Sequence, residues 1–215
     1  DQGGGWILYV PAARSPLKRT GPVGPDQHRV HMLRLALRGV DRAGVWADEI
    51  QRSHHADAET PSYTIDTVVR LRAALDDRDR AGGESARATP IRLLIGADQA
   101  AKFHLWREAR RLLELAEPVV MLRVESAGAS GVSASSVEAR TKLMRELAET
   151  GEWSDDELRA WESRIVDVGV RDISSTKVRE LLASAGEAEA RARLSTLLHA
   201  DVLEYAVANE LYKAV

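Results

Sequence analysis

Short apolar runs alternate with longer stretches of helical periodicity along this chain. The apolar runs predict strands at residues 6–10, 45–47, 91–95, 118–122 and 165–170. Between them, apolar residues recur three and four positions apart, which predicts helices at 26–38, 61–77, 101–106, 107–115, 137–149 and 155–163. The strand at 6–10 is predicted to be buried, a polar loop is predicted after residue 47, and 78–89 is predicted to be a polar linker. Because strand and helix alternate, we expect an α/β fold with a mostly parallel, doubly wound sheet.

The pattern changes after residue 170, where a helix start coincides with basic side chains. Apolar spacing predicts a packed helix whose inward face is formed by Val178, Leu181, Leu182 and Ala185. A helix N-terminus exposes unpaired N–H groups and binds anions. Ser175 and Thr176 add hydroxyl donors there, and Lys177 and Arg179 add positive charge. Cations oppose the helix dipole at this end, so we expect a bound polyanion; a plain capped helix with solvated basic side chains is the alternative.

Other residues of ligand-binding type follow predicted strands. Lys18 belongs to a Pro- and Gly-rich basic loop at 11–25, and Thr64 begins a predicted helix. Gly96 and Asp98 come directly after the third strand, where a glycine permits close backbone approach and a carboxylate can hold ribose hydroxyls. In open α/β sheets, ligands bind at the carboxyl ends of the strands. This shared placement favours a nucleotide-type ligand.

Composition narrows the class of protein. Apolar residues make up 44% of the 215 positions, enough for a full core. The net charge of −3 gives no global field for nucleic acid, so anion binding must be local. The chain has no cysteine, which fits a reducing compartment, and no apolar run long enough for a membrane span. We therefore expect a cytoplasmic protein that binds neither nucleic acid nor membrane.

The predicted organisation is a single domain over residues 1–215. Its sheet core and flanking helices occupy 6–170, and a helical C-terminal part occupies 171–215 and carries the Ser-Ser-Thr segment. The tail from 187 to 211 is predicted to be helical, packed through Leu198, Val202 and Tyr205.

Several segments in order along the chain resemble nicotinate-nucleotide adenylyltransferase, a member of the nucleotidyltransferase superfamily. The matching motifs are Val10-Pro11 through Lys18, Arg29 through Ala36, Pro61-Ser62-Tyr63-Thr64, Gly96-Ala97-Asp98, Phe103 through Glu108, Ile173-Ser174-Ser175-Thr176 with Arg179, and Val202 through Tyr212. Each motif alone is weak, whereas the series at these spacings is specific. The resemblance implies a Rossmann-like nucleotidyltransferase fold.

The resemblance also implies an activity, the transfer of AMP from ATP to nicotinate mononucleotide, which forms deamido-NAD and pyrophosphate. It assigns Ser175, Thr176 and Arg179 to the ATP phosphates and Gly96 and Asp98 to nucleotide ribose. On the nicotinate mononucleotide side it assigns Lys18, Tyr63, Thr64 and Trp106, with Trp106 stacked on the pyridine ring. Mg²⁺ would accompany ATP. Burial of Trp106 in a core is the alternative for that residue.

Two departures from the family pattern shape the expectations. Family members carry Gly-Gly-x-Phe-Asp-Pro-x-His-x-Gly-His after a first strand, and these 215 residues contain no such segment, so no catalytic residue is identified. We expect the segment to lie upstream of Asp1 and the chain as it stands to transfer adenylyl groups poorly. Ser15-Pro16-Leu17-Lys18 also replaces the usual Pro-Pro-His-Lys.

The alternatives left open are of two kinds. One is an adenylyltransferase with another acceptor, nicotinamide mononucleotide or phosphopantetheine. The other is a degenerate, non-catalytic nucleotide-binding protein. A homo-oligomer is also left open.

Overall fold

The computed structural model describes residues 5–14, 24–53, 61–81, 89–125, 134–170, 174–184, 186 and 188–212. These residues divide between two compact units, of which unit 1 combines Asp1–Ser62 with Ile173–Val215 and unit 2 is Tyr63–Asp172. The elements in chain order are β1 (Ile7–Tyr9), α1 (Asp26–Ala36), β2 (Ala43–Val45), α2 (Asp48–Ser53), α3 (Thr64–Ala81), β3 (Arg92–Gly96), α4 (Ala97–Ala100), a 3-10 helix (Phe103–Leu105), α5 (Ala109–Leu115), β4 (Glu117–Glu125), α6 (Ala134–Glu149), α7 (Asp155–Ser163), β5 (Ile165–Val170), α8 (Ser175–Ala183), α9 (Ala188–Leu197) and α10 (Ala200–Ala208). The single-domain organisation stays a prediction.

Every strand pair among these elements is parallel. In unit 1, β1 pairs with β2 and Ile7 lies opposite Ala43. In unit 2 the strand order is β3-β4-β5, with Arg92 opposite Glu117 and Val120 opposite Ile165. Parallel neighbours need a crossover connection, and helices supply it within unit 2. The predicted α/β class, with parallel strands and a helical C-terminal region, is confirmed.

The core of unit 2 is centred on β4 and on a cluster of aromatic side chains. Val120 and Leu122 of β4 are 0% and 1% exposed. Phe103 meets Trp161 edge-on with ring centroids 5.2 Å apart, and Trp153 meets Trp161 edge-on at 5.4 Å. Edge-to-face pairs contribute about 0.5–1.5 kcal/mol beyond the area they bury. The cluster therefore fixes the segment around Phe103 against α7.

Helix α7 begins at a reciprocal capping box. The Ser154 hydroxyl accepts from the Glu157 N–H, and the Glu157 carboxylate accepts from the Ser154 N–H at 2.8 Å. This hydrogen bond from the Ser154 N–H holds the pKa of Glu157 below its ordinary value of 4.5, and the side chains of Ser154 and Arg110 act in the same direction against a burial effect. Because the pKa is lowered on folding, the stabilisation is present above 4.5 and is lost as the pH falls through the lowered value.

Helix α3 continues to Ala81, four residues past its predicted end near Asp77. The prediction of a polar linker over 78–89 is therefore wrong for residues 78–81, which are helical. The Asp79 carboxylate accepts from the Thr89 hydroxyl at 3.0 Å, and Arg72 donates to the Thr89 carbonyl at 2.7 Å. Polar side chains thus hold the last turn of α3 against the residues that precede β3.

Unit 1 packs its C-terminal helices against one another and against α1. Leu182, Leu194 and Leu203 form the centre of that core. His28 and Tyr205 form a 2.8 Å hydrogen bond across the contact between α1 and α10. The predicted helical tail consists of two helices, because His199 caps a new one by accepting from the Asp201 N–H.

Two further predictions for unit 1 are wrong. The run at 6–10 was expected to be buried, yet Trp6 is 74% exposed and Ile7 50% exposed. Among the described residues β1 pairs along one edge only. The polar residues after 47 form α2, where buried Asp48 pairs with Arg52 at 2.8 Å, since a four-residue spacing brings opposite charges together on a helix.

Ser154→Ala removes one half of the capping box, and we expect it to lower the free energy of unfolding by about 0.5–2 kcal/mol. Urea denaturation measures the effect. Ser163→Ala, at the last turn of the same helix, removes a hydroxyl bonded to the Ala160 carbonyl and is the matched control. An equal loss in both variants would contradict a capping role for Ser154.

Candidate functional site

A carboxylate with one side-chain hydrogen bond lies just beyond the end of β3. Gly96 ends the strand and caps α4, and Asp98 lies in the first turn with an exposed side chain. A Cβ added at Gly96 would lie 2.7 Å from the Oδ1 atom of Asp98. The Gln99 side chain donates to Oδ2 of Asp98 at 2.8 Å. The predicted placement of Asp98 at a strand's carboxyl end is confirmed, and the glycine makes room for its carboxylate.

The residue before α3, Tyr63, lies against the segment that follows the 3-10 helix. Thr64 is the first residue of α3 and is half-buried. The Arg107 guanidinium lies over the Tyr63 ring, 4.8 Å from its centroid. A cation over an aromatic face contributes about 0.5–2 kcal/mol, depending on its exposure. This contact, which lies within unit 2, joins residues of two different sequence motifs.

Trp106 stands on the aromatic cluster of unit 2. Its ring stacks on Phe103 with centroids 5.0 Å apart and an interplanar angle of 27°. Phe103 is fully buried, whereas Trp106 is half-buried. The buried Nε1 atom of Trp106 has no hydrogen-bond partner among the residues described. Trp106 is therefore a core contact on its Phe103 side and a partly accessible ring elsewhere, which is compatible with both interpretations of this residue.

A cavity of about 220 Å³ opens beside this ring, with Trp106 and Trp153 among its walls. Glu108, Glu152 and Arg110 also line it. Arg110 is already engaged, since it bonds the Glu157 carboxylate and lies over the Trp153 ring at 4.6 Å. With carboxylates present and its one arginine occupied, the cavity favours no particular ligand charge.

Helix α8 of unit 1 begins as its sequence predicts. The Ser174 hydroxyl caps it by accepting from the Lys177 N–H at 3.1 Å. Ser175 and Thr176 are exposed in the first turn. Arg179 donates to the Thr176 hydroxyl at 3.3 Å, so its guanidinium lies over that turn. Helix α8 thus presents backbone N–H groups, two hydroxyls and a cation at one end, an arrangement suited to an anion.

The predicted site residues fall into three sets. Gly96, Asp98, Tyr63, Thr64 and Trp106 belong to unit 2, while Ser175, Thr176 and Arg179 belong to unit 1. Lys18 lies outside the described residues.

Two residues of unit 2 that the sequence did not single out contact predicted site residues: Gln99 contacts Asp98, and Arg107 contacts Tyr63. Gln99 was missed because neighbouring residues on a helix normally diverge. Arg107 was part of a matching motif, but nothing in its spacing indicated a contact with Tyr63.

The described part of the chain contains no group of three or more His, Asp or Glu side chains placed to hold a metal ion. No helix within it is long and apolar enough to cross a membrane.

Comparison with known proteins gives a family. The sequence profile described as cytidylyltransferase-like matches residues 1–181. The chain belongs to the cytidylyltransferase-like family.

Curated relatives of this cytidylyltransferase-like chain carry the name "Probable nicotinate-nucleotide adenylyltransferase". One from Rhodopirellula baltica is 36% identical over 117 residues, which is 54% of this chain and 47% of the relative. One from Aquifex aeolicus is 32% identical over 117 residues, which is 54% of this chain and 59% of the relative. One from Pseudomonas putida strain W619 is 28% identical over 216 residues, and the alignment covers 97% of this chain and 81% of the relative. The chain thus spans about half the length of the first two relatives, and the resemblance to this group of enzymes is confirmed.

A solved structure supports the fold of the cytidylyltransferase-like chain. It is the nicotinic acid mononucleotide adenylyltransferase of Plasmodium falciparum, complexed with NaAD, with a TM-score of 0.53. The alignment covers 96% of this chain and 82% of that one at 11% identity. At this identity the likeness concerns the fold alone.

Gly96→Ala should weaken binding of ATP by about tenfold or more, because the new methyl group displaces the Asp98 carboxylate and a charged contact contributes about 1.5–3 kcal/mol. The fold should persist, since φ of −77° at Gly96 suits alanine. Calorimetric titration with ATP measures the effect.

Gly44→Ala in β2 is the matched control, because a Cβ there would make only an ordinary 3.9 Å contact with Leu8. Equal ATP affinity in Gly96→Ala and Gly44→Ala would contradict the role given to the strand end.

Proposed function

We propose that this protein transfers AMP from ATP to nicotinate mononucleotide, forming deamido-NAD and pyrophosphate. The observation that carries the proposal is the alignment along 97% of the chain with a relative named for this activity. Membership of the cytidylyltransferase-like family supports nucleotidyl transfer as the class of reaction.

In the proposed enzyme, Asp98 accepts hydrogen bonds from nucleotide ribose. Its side chain is exposed at the carboxyl end of a parallel strand, where open α/β sheets bind their ligands. Gly96 supports this role, since its missing Cβ leaves the space that the carboxylate occupies. An exposed acceptor at a defined position supports the ribose role.

The ATP phosphates are assigned to the first turn of α8. Ser175 and Thr176 offer hydroxyl donors there beside the N–H groups, and Arg179 offers a guanidinium that already reaches Thr176. A phosphate oxygen would replace the Thr176 hydroxyl as the partner of Arg179 and would form a charge-assisted bond.

Mg²⁺ would arrive with ATP. It is usually held by substrate phosphates, waters and one or two carboxylates rather than by an all-protein cage. When bound, the ion would neutralise part of the phosphate charge.

The nicotinate side of the proposed site is formed by Tyr63, Thr64 and Trp106, with Lys18 at a phosphate. The half-buried Trp106 ring is supported from behind by Phe103, so its orientation is fixed before a ligand arrives. A pre-oriented indole can stack on a pyridine ring with little loss of conformational entropy.

The chemistry needs no covalent intermediate. A phosphate oxygen of nicotinate mononucleotide attacks the α-phosphorus of ATP, the bond to the β-phosphate breaks, and pyrophosphate leaves with the electron pair. The attacking oxygen is already anionic, so no general base has to remove a proton. Catalysis then consists of alignment of the two nucleotides and stabilisation of charge on the transferring group.

Two other acceptors, nicotinamide mononucleotide and phosphopantetheine, define the runner-up. Among the three acceptors, the half-buried indole of Trp106 favours those that carry a pyridine ring.

The proposed enzyme belongs in the cytoplasm. The absence of cysteine fits a reducing compartment.

The test of this function is pyrophosphate release with ATP and each of the three acceptors in turn. Because the chain as it stands is expected to transfer adenylyl groups poorly, release is measured both for this chain and for a longer chain that carries the Gly-Gly-x-Phe-Asp-Pro-x-His-x-Gly-His segment before Asp1. We expect release by the longer chain with nicotinate mononucleotide to exceed release with the other two acceptors. Equal release with all acceptors would contradict the pyridine assignment. ATP binding without release by either chain would favour the degenerate nucleotide-binding protein.

Arg179→Ala should weaken ATP binding by about 1.5–3 kcal/mol, because it removes a charge-assisted contact to phosphate. Calorimetry with Mg-ATP measures the change. Arg191→Ala, which removes an exposed arginine from α9, is the matched control. Unchanged affinity in Arg179→Ala would remove this residue from the phosphate site.

Trp106→Ala should raise the dissociation constant for nicotinate mononucleotide more than that for ATP, because stacking is selective for the ring it covers. Trp153→Ala, which removes a buried indole of the same cluster, should lower thermal stability without this selectivity. If Trp106→Ala lowers stability and leaves both affinities equal to those of the parent, Trp106 is a core residue only.

A further inference from the structure

Both oxygens of the Asp98 carboxylate have close neighbours within unit 2. Oδ1 occupies space beside Gly96, only 2.7 Å from where a Cβ would stand. Oδ2 accepts a 2.8 Å hydrogen bond from Nε2 of Gln99. The carboxylate therefore lies close to Gly96 at the end of β3 and is hydrogen-bonded by its neighbour, even though its side chain is exposed.

The hydrogen bond between Gln99 and Asp98 is unusual because it joins the side chains of adjacent residues. Side chains of adjacent helical residues point about 100° apart, so they rarely face each other. Helix α4 has only four residues, and its Gln99 is half-buried while Asp98 is exposed. The glutamine side chain thus reaches from a more enclosed position to an exposed carboxylate on its neighbour.

The bond has a consequence for ligand binding. An exposed carboxylate with no partner samples several rotamers, and a ligand that selects one of them must offset the lost entropy. A carboxylate has about four lone-pair sites, and Gln99 fills one of them. The remaining sites can accept from the two neighbouring hydroxyls of a ribose without any rearrangement of Asp98.

We infer that Gln99 is a positioning residue for the ribose of ATP, acting through the carboxylate of Asp98. The inference rests on the proposed function, because it requires that Asp98 hold ribose hydroxyls. Gln99 itself need not touch the nucleotide. Its amide holds Asp98 in the rotamer that the space beside Gly96 allows, and removal of the amide lets the carboxylate rotate away.

Gln99→Met tests this most simply. Methionine keeps an unbranched side chain of similar length and a comparable helix propensity, but it cannot donate a hydrogen bond. We expect ATP affinity to fall by about three- to tenfold, the effect of one lost hydrogen bond. Gln51→Met on α2, where the glutamine is exposed, is the matched control and should bind ATP as the parent does.

Two comparisons separate positioning from a general structural effect. The first uses 2′,3′-dideoxy-ATP, which lacks both ribose hydroxyls, so its affinity should be the same in the parent and in Gln99→Met. The second uses Asp98→Ala, in which Gln99 has nothing left to position. In that background Gln99→Met should cause no further loss of ATP affinity, because residues that act as one unit are not additive.

Calorimetry on the full chain gives all of these affinities. The inference is overturned if Gln99→Met binds ATP like the parent, if ATP and its dideoxy analogue lose affinity equally, or if the losses from Asp98→Ala and Gln99→Met add. Adenylyl transfer by the parent is measured separately. Transfer together with any of these three results leaves the proposed function standing and removes only the role of Gln99, whereas a parent chain that binds no ATP overturns both.

Discussion

The parallel pairing of β3 with β4 is the constraint on which the candidate site of unit 2 depends. Pairing from Arg92–Glu117 to Gly96–Met121 fixes where β3 ends. Val120, beside that end, is fully buried, so the register cannot slip without moving apolar side chains out of the core. The position of Asp98, two residues beyond the strand, is thus determined by the packing of the sheet. A carboxylate on the helical turn that directly follows a rigid strand is placed more precisely than one carried on a loop.

The aromatic cluster of unit 2 fixes the position of Trp106 and of its neighbour Arg107 through packing in the core. Trp161 on α7 packs edge-on against Phe103, and Phe103 supports Trp106. The next residue, Arg107, lies over Tyr63 at the start of α3. Ring contacts therefore connect a deeply buried tryptophan with Trp106, and the adjacent Arg107 adds a separate contact with Tyr63. Trp106 owes its orientation to the core, and for this reason burial and ligand stacking are compatible roles for it.

Local patterns predicted most of the fold. Each of the five predicted strands overlaps an observed one, and 165–170 is matched throughout, because short apolar runs in a parallel sheet differ clearly from helical periodicity. The cap of α8 also followed from its serines. Exposure of Trp6 could not be predicted, because an apolar run does not tell which neighbours cover it.

The contacts of the site were less predictable than its residues. Asp98 and Gly96 were found from their position after a strand. The hydrogen bond from Gln99 depends on side-chain rotamers, which no spacing rule gives. The contact of Arg107 with the Tyr63 ring depends in addition on how closely two motifs distant in sequence approach in the fold. The last turn of α3 was missed for the same reason, since its partner Thr89 lies on a separate segment.

We propose that a nucleotide binds at the carboxyl end of β3, over Gly96 and Asp98. Backbone hydrogen exchange with and without Mg-ATP is the sharpest test, because it locates the protected amides without any substitution. We expect slower exchange at residues 96–100 and in the first turn of α8, with no comparable change in α7. Unchanged exchange at 96–100 under saturating ATP would contradict it.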